Sequence, residues 1–362
     1  MSTSKPVTIV GLMAISVLVA AAGLLYVRYV RPPMNVAYVS EEEGGIKLIN
    51  LSTLQVVRGV QPPDFAPRGI GITFDGKYLI TADKDTADIA IFSTPRLNIV
   101  KRIKIGDNPE FIKLGPNGER LFATFEPGSA GGPPPAAGAP GAADDADDAN
   151  EPPAQIATFS VPDWTPGTVS TAGKETEGLE FSLDGKYMIV ANEAQNTIGL
   201  FDAATGAHVR DIDMKPYGIR PRGVKASPLG NGYAITMEGS GTLLTLDQNF
   251  NAIKWVPTEA KPYGVAFDRS GKRIFVAAAM ARKLQVFAAD TLQLLGEAPI
   301  GQRCWHFTFT PDDSKVLLAC GRSNSIYVID ASTYQSVSTI GGFKLPWGIV
   351  TYPRSYGTLG LP

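Results

Sequence analysis

The chain has 362 residues, with 33 lysines and arginines against 35 aspartates and glutamates, a formal net charge of −2. There is no basic field to suggest nucleic acid, and 38 glycines and 28 prolines among 44% hydrophobic residues suit an all-β protein rich in turns. Two histidines and two cysteines leave little material for a zinc centre.

Residues 7–27 carry no charge, and a helix of that length spans roughly 30 Å, the thickness of a hydrocarbon core. Lys5 precedes this run, and Arg28 and Arg31 follow it. Residues 1–34 therefore read as an N-terminal transmembrane helix, a signal-anchor with a short linker. The alternative is a signal peptide cleaved near Ala20-Ala21-Ala22. Either way, residues 35–362 are expected on the far side of a membrane.

From residue 35 the chain becomes periodic. Segments 36–39, 46–51 and 54–60 read as strands, three of a four-stranded unit that lacks its first. A Pro-x-Gly-like opening then recurs at Pro67-Arg68-Gly69, Pro109-Glu110-Phe111, Thr176-Glu177-Gly178 and Pro221-Arg222-Gly223. It continues with Pro262-Tyr263-Gly264, Cys304-Trp305-His306 and Pro346-Trp347-Gly348. Spacings of 42, 67, 45, 41, 42 and 42 residues, with four short strands to each unit, are the signature of a β-propeller. The missing first strand appears at the other end, over 347–353. The predicted fold is thus an all-β, seven-bladed β-propeller whose N- and C-terminal strands share one blade.

The long interval holds a Pro/Ala/Gly/Asp-rich insertion over 126–154, without an aromatic or large aliphatic residue. Such a segment cannot offset its ordering entropy by burial, and it reads as a disordered loop. Asp144, Asp145, Asp147 and Asp148 lack the glycine turn and terminal glutamate of a calcium loop. They read as a solvated acidic tract.

The second strands Tyr78-Leu79-Ile80-Thr81-Ala82, Tyr187-Met188-Ile189-Val190-Ala191-Asn192 and Val36-Ala37-Tyr38-Val39-Ser40 share a pattern, and strands that follow end Val328-Ile329-Asp330 and Leu200-Phe201-Asp202. Over residues 35–353 this resembles the YVTN-type, YncE-like β-propeller repeat family. The resemblance implies an exported bacterial protein: anchored in the inner membrane with its propeller in the periplasm, or secreted or periplasmic if the N-terminal segment is cleaved. It implies no single activity, since the architecture carries binding modules, lactonases and haem enzymes.

In such a propeller the first strand of each blade lies nearest the axis. The x positions would then ring the channel mouth: Arg68, Glu110, Glu177, Arg222, Tyr263, Trp305 and Trp347, with His306 one step further. Planar guanidinium forks suit carboxylate or phosphate, and aromatic faces suit stacking, so the ring is a candidate site for a small anionic or ring-containing ligand. The same side chains can equally plug the channel by pairing with one another. His208 falls in a hairpin turn and reads as a surface residue.

No c-type haem motif, glycine-rich phosphate loop or Gly-x-Ser-x-Gly elbow occurs. No catalytic set, metal site or cofactor is assigned. The expected function is a membrane-anchored, exported scaffold that binds a small anionic ligand or a periplasmic protein, and not nucleic acid. The alternatives are an accessory protein of a quinone- or haem-linked periplasmic redox system, and a lactonase-like hydrolase using Glu110, Glu177 and His306. A turn over 311–314 sets 304–309 antiparallel to 315–320, which brings Cys304 and Cys320 nearly opposite. An oxidising compartment would join them in a disulfide; a reducing one would leave two buried thiols.

Overall fold

Each repeat folds as an antiparallel meander because short apolar runs are separated by turns that fix their own geometry. In three of the turns between first and second strands an aspartate organises the loop. Asp75 Oδ1 accepts from Thr73 Oγ1 at 2.8 Å and the Lys77 amide at 3.1 Å; Asp184 and Asp312 do the same with Ser182 and Lys186, and with Thr310 and Ser314. Each of these bonds spans only two residues.

The computed structural model describes residues 32–129 and 152–355. Segment 7–27 and most of the insertion lie outside the described residues. Among the described residues no helix is long and apolar enough to cross a membrane. The strands form seven four-stranded sheets, the blades of one propeller.

The innermost strands are β4 (Pro67–Ile72), β8 (Pro109–Leu114), β12 (Thr176–Phe181), β16 (Pro221–Ala226), β20 (Pro262–Phe267), β24 (Cys304–Phe309) and β28 (Pro346–Tyr352). Next to them in the same sheets lie β5 (Tyr78–Asp83), β9 (Arg120–Phe125), β13 (Tyr187–Asn192), β17 (Tyr233–Met237), β21 (Arg273–Ala278), β25 (Lys315–Cys320) and, beside β28, β1 (Val36–Glu41). Neighbouring blades cover both faces of these strands, so nearly all their residues are buried rather than alternately exposed. Tyr38, Ile46, Ile70, Leu79 and Phe92 form one such layer between blades. Burying a side chain of this size contributes about 1.5–3 kcal/mol. Fourth strands lie at the rim: His208–Asp213, for example, is mostly exposed, and its first residue is His208.

The composite blade has the order β28, β1, β2 (Gly45–Asn50) and β3 (Gln55–Val60). Val36 pairs with Tyr352 and Ser40 with Gly348, so the ring is closed by antiparallel pairing between the two ends of the fold. The Tyr352 hydroxyl donates to the Asp75 carbonyl at 3.0 Å, which puts both ends on the face of the 73–76 turn. The Pro-x-Gly openings, and the segment that follows Phe125, lie on the opposite face. There the Gly128 amide donates to Asp107 at 3.1 Å.

Candidate functional site

The x side chains reach the axis because each sits in a β-bulge. In β12, Thr176 pairs with Asn192 and Gly178 with Ala191, leaving Glu177 as an extra residue. Cys304 pairs with Cys320 and His306 with Ala319, which leaves Trp305; Trp347 is left in the same way between Pro346 and Gly348. In β4, β16 and β20 two residues, the x residue and its glycine, face one. A bulge twists its strand and re-aims the extra side chain.

The third position of the motif faces the next blade at close range. A Cβ at Gly69 would stand 2.1 Å from the Glu110 carbonyl oxygen, and one at Gly178 2.3 Å from that of Arg222. Only glycine permits this approach. His306 holds the same position in β24 and meets the carbonyl differently: its Nδ1 donates to the Trp347 oxygen at 3.1 Å. Its ring packs 4.2 Å from the Trp347 ring and 5.4 Å from that of Phe111, centroid to centroid. Burial lowers its pKa to about 3, so the imidazole is neutral at physiological pH.

The structure brings all eight residues read from the sequence to the mouth, and it pairs both arginines. Arg68 is buried, with Nε and Nη2 at 3.2 and 3.3 Å from the two Glu42 oxygens. Its Nη1 donates to Asn108 at 2.8 Å and lies 3.6 Å from Glu110. Arg222 pairs with three carboxylates: Glu177 at 3.0 Å, Glu193 at 3.1 Å and Glu238 at 2.6 Å. Its guanidinium also lies 4.3 Å from the centre of the Tyr263 ring. Tyr263, Trp305 and Trp347 pack with Phe111 and Ala279 into an apolar cluster.

Glu42, Glu193, Glu238 and Glu126, which accepts from Asn108 at 2.6 Å, were missed by the sequence reading. All four follow a second strand directly. Across the blades this position is Glu42, Lys84, Glu126, Glu193, Glu238, Ala279 and Gly321. It recurs with the same spacing as the Pro-x-Gly openings, and that spacing was the signal that marks them. The residue just before each first strand forms a further ring, with Asn108, Glu175, Arg220, Lys261 and Arg303 held at positive φ. Arg220 pairs with Glu175 at 3.1 Å and Glu193 at 2.6 Å, and Lys261 with Glu238 at 3.0 Å.

The carboxylates respond to this crowding in opposite ways. Burial, with Glu238 close by, raises the Glu193 pKa well above the usual range; burial and the charge of Glu177 do the same to Glu110. Burial also acts against the charged form of Glu238, but the Arg222 and Lys261 charges overcome it and hold that group down to about 2.

Beneath the mouth, the channel carries a second charged layer of Lys113, Glu180 and Lys225, all buried. Glu180 lies 2.7 Å from Lys113 and 3.5 Å from Lys225. Burial lowers the Lys113 pKa to about 7. Toward the far face, Ser355 Oγ lies 2.8 Å from Thr308 Oγ1, and the Arg354 guanidinium stacks 3.7 Å from the Phe74 ring centre. Between the layers remains a cavity of about 50 Å³, lined by Phe111, Lys113, Arg222, Tyr263 and His306 among others. That is room for a few waters rather than for a substrate. Among the described residues no group of three His, Cys, Asp or Glu side chains is arranged to hold a metal ion. Cys304 and Cys320, paired across β24 and β25, are joined by a disulfide with a Cα separation of 3.8 Å.

No protein-family model matches the chain, and no curated protein matches it in sequence. Solved structures resemble it in fold. A functionally unknown protein from Desulfotomaculum acetoxidans DSM 771 superposes with a TM-score of 0.72 at 14% identity, covering 87% of this chain and 98% of that one. The Pseudomonas aeruginosa periplasmic gluconolactonase PpgL gives 0.69 at 15% identity over 88% and 98% of the two chains. The dihydro-heme d1 dehydrogenase NirN gives 0.63 at 15% identity over 89% and 77%. At these identities the likeness establishes the seven-bladed propeller and nothing narrower.

Proposed function

We propose that this protein is a non-catalytic binding scaffold, exported and tethered by residues 7–27, that meets its ligand or protein partner on the mouth face of the propeller. One observation carries the reading: both ring arginines are committed to carboxylates, and the channel beneath them holds only about 50 Å³. A hydrolase needs an acid or base that its substrate can reach. Here His306 is buried, and its Nδ1 proton is given to a backbone carbonyl. A binding surface asks only for a rigid frame, which the inter-blade ion pairs supply. The periplasm is the compartment this reading requires. Protease added outside spheroplasts should therefore cut the protein, whereas intact cells should protect it.

The activity test uses the purified full chain and δ-gluconolactone, because one similar structure is a periplasmic gluconolactonase. The expected rate equals the uncatalysed one and is unchanged by Glu177→Gln. Turnover that Glu177→Gln removes would replace the scaffold reading with a hydrolase. Co-purification of a haem- or quinone-bearing protein from membranes would instead identify the partner as a redox enzyme.

A further inference from the structure

At three junctions between blades, the first residue of a second strand closes the gap to the next blade. Tyr78 meets the Trp164 ring edge-on, 5.6 Å between centroids. Arg120 and Arg273 donate to the carbonyls of Ala203 and Ala331, each in the turn between the third and fourth strands of the next blade. Between the blades of β12 and β16 the gap stays open. Tyr187 holds the place of Tyr78, and Phe250 that of Trp164, each of the latter two at positive φ in its turn. Phe250, however, stacks on Tyr233 of its own blade, with centroids 4.9 Å apart and planes 8° from parallel. Among the described residues no ring packs on Tyr187. A groove of about 690 Å³ is left there, on the face of the propeller that carries the 73–76 turn.

The lining is apolar where it is deep, at Leu200, Tyr233 and Phe250, and exposes Leu183 and Val209 at its edges. Two of the lining residues carry charge, Asp184 and Arg210. Asp184 is already matched: its carboxylate accepts from the Ser182 hydroxyl at 2.7 Å and lies 3.3 Å from Lys186. Arg210 is exposed and makes one long hydrogen bond, from Nη2 to the Asn249 carbonyl at 3.5 Å. It has no ion pair among the described residues. The Tyr233 hydroxyl accepts from the Leu183 amide at 3.2 Å, and its own proton has no acceptor among the described residues. The Tyr187 hydroxyl has no partner among them either. The volume falls within the roughly 300–1,000 Å³ of pockets that hold small molecules. One unmatched cation and two hydroxyl donors around an apolar floor call for an anion with an apolar body.

We propose that this groove binds an apolar, ring-bearing monocarboxylic acid, its ring system on Leu200 and Tyr187 and its carboxylate on Arg210. A guanidinium fork takes a carboxylate bidentately. The single unmatched charge selects a monoanion: a phosphate monoester carries about two charges at neutral pH and would leave one unmatched beside Asp184. The tyrosine hydroxyls supply donors for a polar substituent on the ring. This site lies on the opposite face from the mouth, goes beyond the scaffold reading and does not rest on it.

The test is calorimetric titration of the full chain with naphthalene carboxylate. Naphthalene carboxamide serves as the uncharged isostere, and glucuronate as a hydroxylated ring of the same charge. The naphthalene carboxylate should bind with a dissociation constant below about 1 mM, and both comparison compounds at least about tenfold more weakly. Arg210→Gln changes an exposed side chain; it should weaken the carboxylate about ten- to a hundredfold and leave the carboxamide unchanged. Val209→Trp fills the groove from an exposed strand position and should abolish binding of both while the thermal transition is retained. Should that variant melt early, the contrast between carboxylate and carboxamide in Arg210→Gln decides alone. Absence of carboxylate binding overturns the proposal, as does binding that Arg210→Gln leaves unaltered. Equal affinity for the carboxamide, or for glucuronate, overturns the ligand class and the proposal with it.

Discussion

Arg222→Met offers the sharpest test of how the mouth is held together. The methionine keeps much of the volume and removes the charge from three ion pairs, whose partners Glu177, Glu193 and Glu238 are 11%, 0% and 6% exposed. Removing one partner of a buried pair costs about 3–5 kcal/mol. Glu193 retains Arg220 and Glu238 retains Lys261, so the lower end, about 3 kcal/mol, applies here. The loss should depend on pH. Without Arg222 the folded-state pKa of Glu238 rises from its present value of about 2, and that of Glu193, already raised, rises further. A carboxylate whose folded pKa lies above its unfolded value contributes stability below the unfolded pKa and loses it as pH rises through the folded one. The deficit should therefore be larger at about pH 8 than at about pH 4, and through Glu238 it should disappear only as pH falls through about 2, with a slope of up to about 1.4 kcal/mol per pH unit for each proton taken up. Urea unfolding followed by tryptophan fluorescence at both pH values measures it. A difference below about 1 kcal/mol at pH 8, or equal differences at the two pH values, would refute the account of the ring as a set of buried, mutually dependent ion pairs.

Four further outcomes are expected. The His306 pKa is depressed from 6.5 to about 3, so the stability tied to its neutral form is complete above 6.5 and is lost as pH falls through about 3. In His306→Phe the acid-side slope over that window should shrink by up to about 1.4 kcal/mol per pH unit in urea titrations. Replacing Cys304 and Cys320 together by alanine opens a cross-link across 16 residues and should lower unfolding free energy by about 3 kcal/mol, read from denaturation midpoints. Gly178→Ala drives a Cβ toward the Arg222 carbonyl and should cost about 1–3 kcal/mol. Gly341→Ala, with nothing within 4 Å, should stay within about 0.5 kcal/mol of the parent, both glycine variants being read by urea denaturation.

The seven inner strands were legible because two signals coincide at each of them. The period of the repeat sets where a blade begins, and Pro67, Pro109, Thr176, Pro221, Pro262, Cys304 and Pro346 are indeed the first residues of their strands. The tight turn that follows sets where each strand ends. The composite blade followed from a three-stranded unit at one end and a lone strand at the other; the lone strand, expected over 347–353, is Pro346–Tyr352. The ring residues were legible for the same reason, since a bulge at a repeated position aims every x side chain alike. Their partners were not. Whether Arg222 meets Glu177, Glu193 or Glu238 depends on the offset between adjacent blades, which the repeat within one blade does not encode. Glu180 between Lys113 and Lys225 escaped similarly: in sequence these are polar residues on three different apolar strands, and only the convergence of those strands at the axis makes them a layer.

The pairing of Val36 with Tyr352 has a consequence for the order in which the chain acquires its structure. Six blades are made of contacts between residues within about one repeat of each other, so each can form as soon as its own strands are available. The seventh joins positions 316 residues apart. Loop-closure entropy grows by about 0.6 kcal/mol for each doubling of length. Closing the ring therefore costs about 2 kcal/mol more than closing a single 42-residue repeat, a modest difference. The kinetic difference is larger, because β1 must wait for the last strand to be synthesised. Until β28 arrives, β1 is a sheet edge with its hydrogen-bonding groups unpaired, open to a strand from another chain. A molecule cut short before Pro346 would keep six blades and that open edge, and a neighbour's β28 would fit it as well as its own, so truncated and full-length chains should cross-pair into dimers.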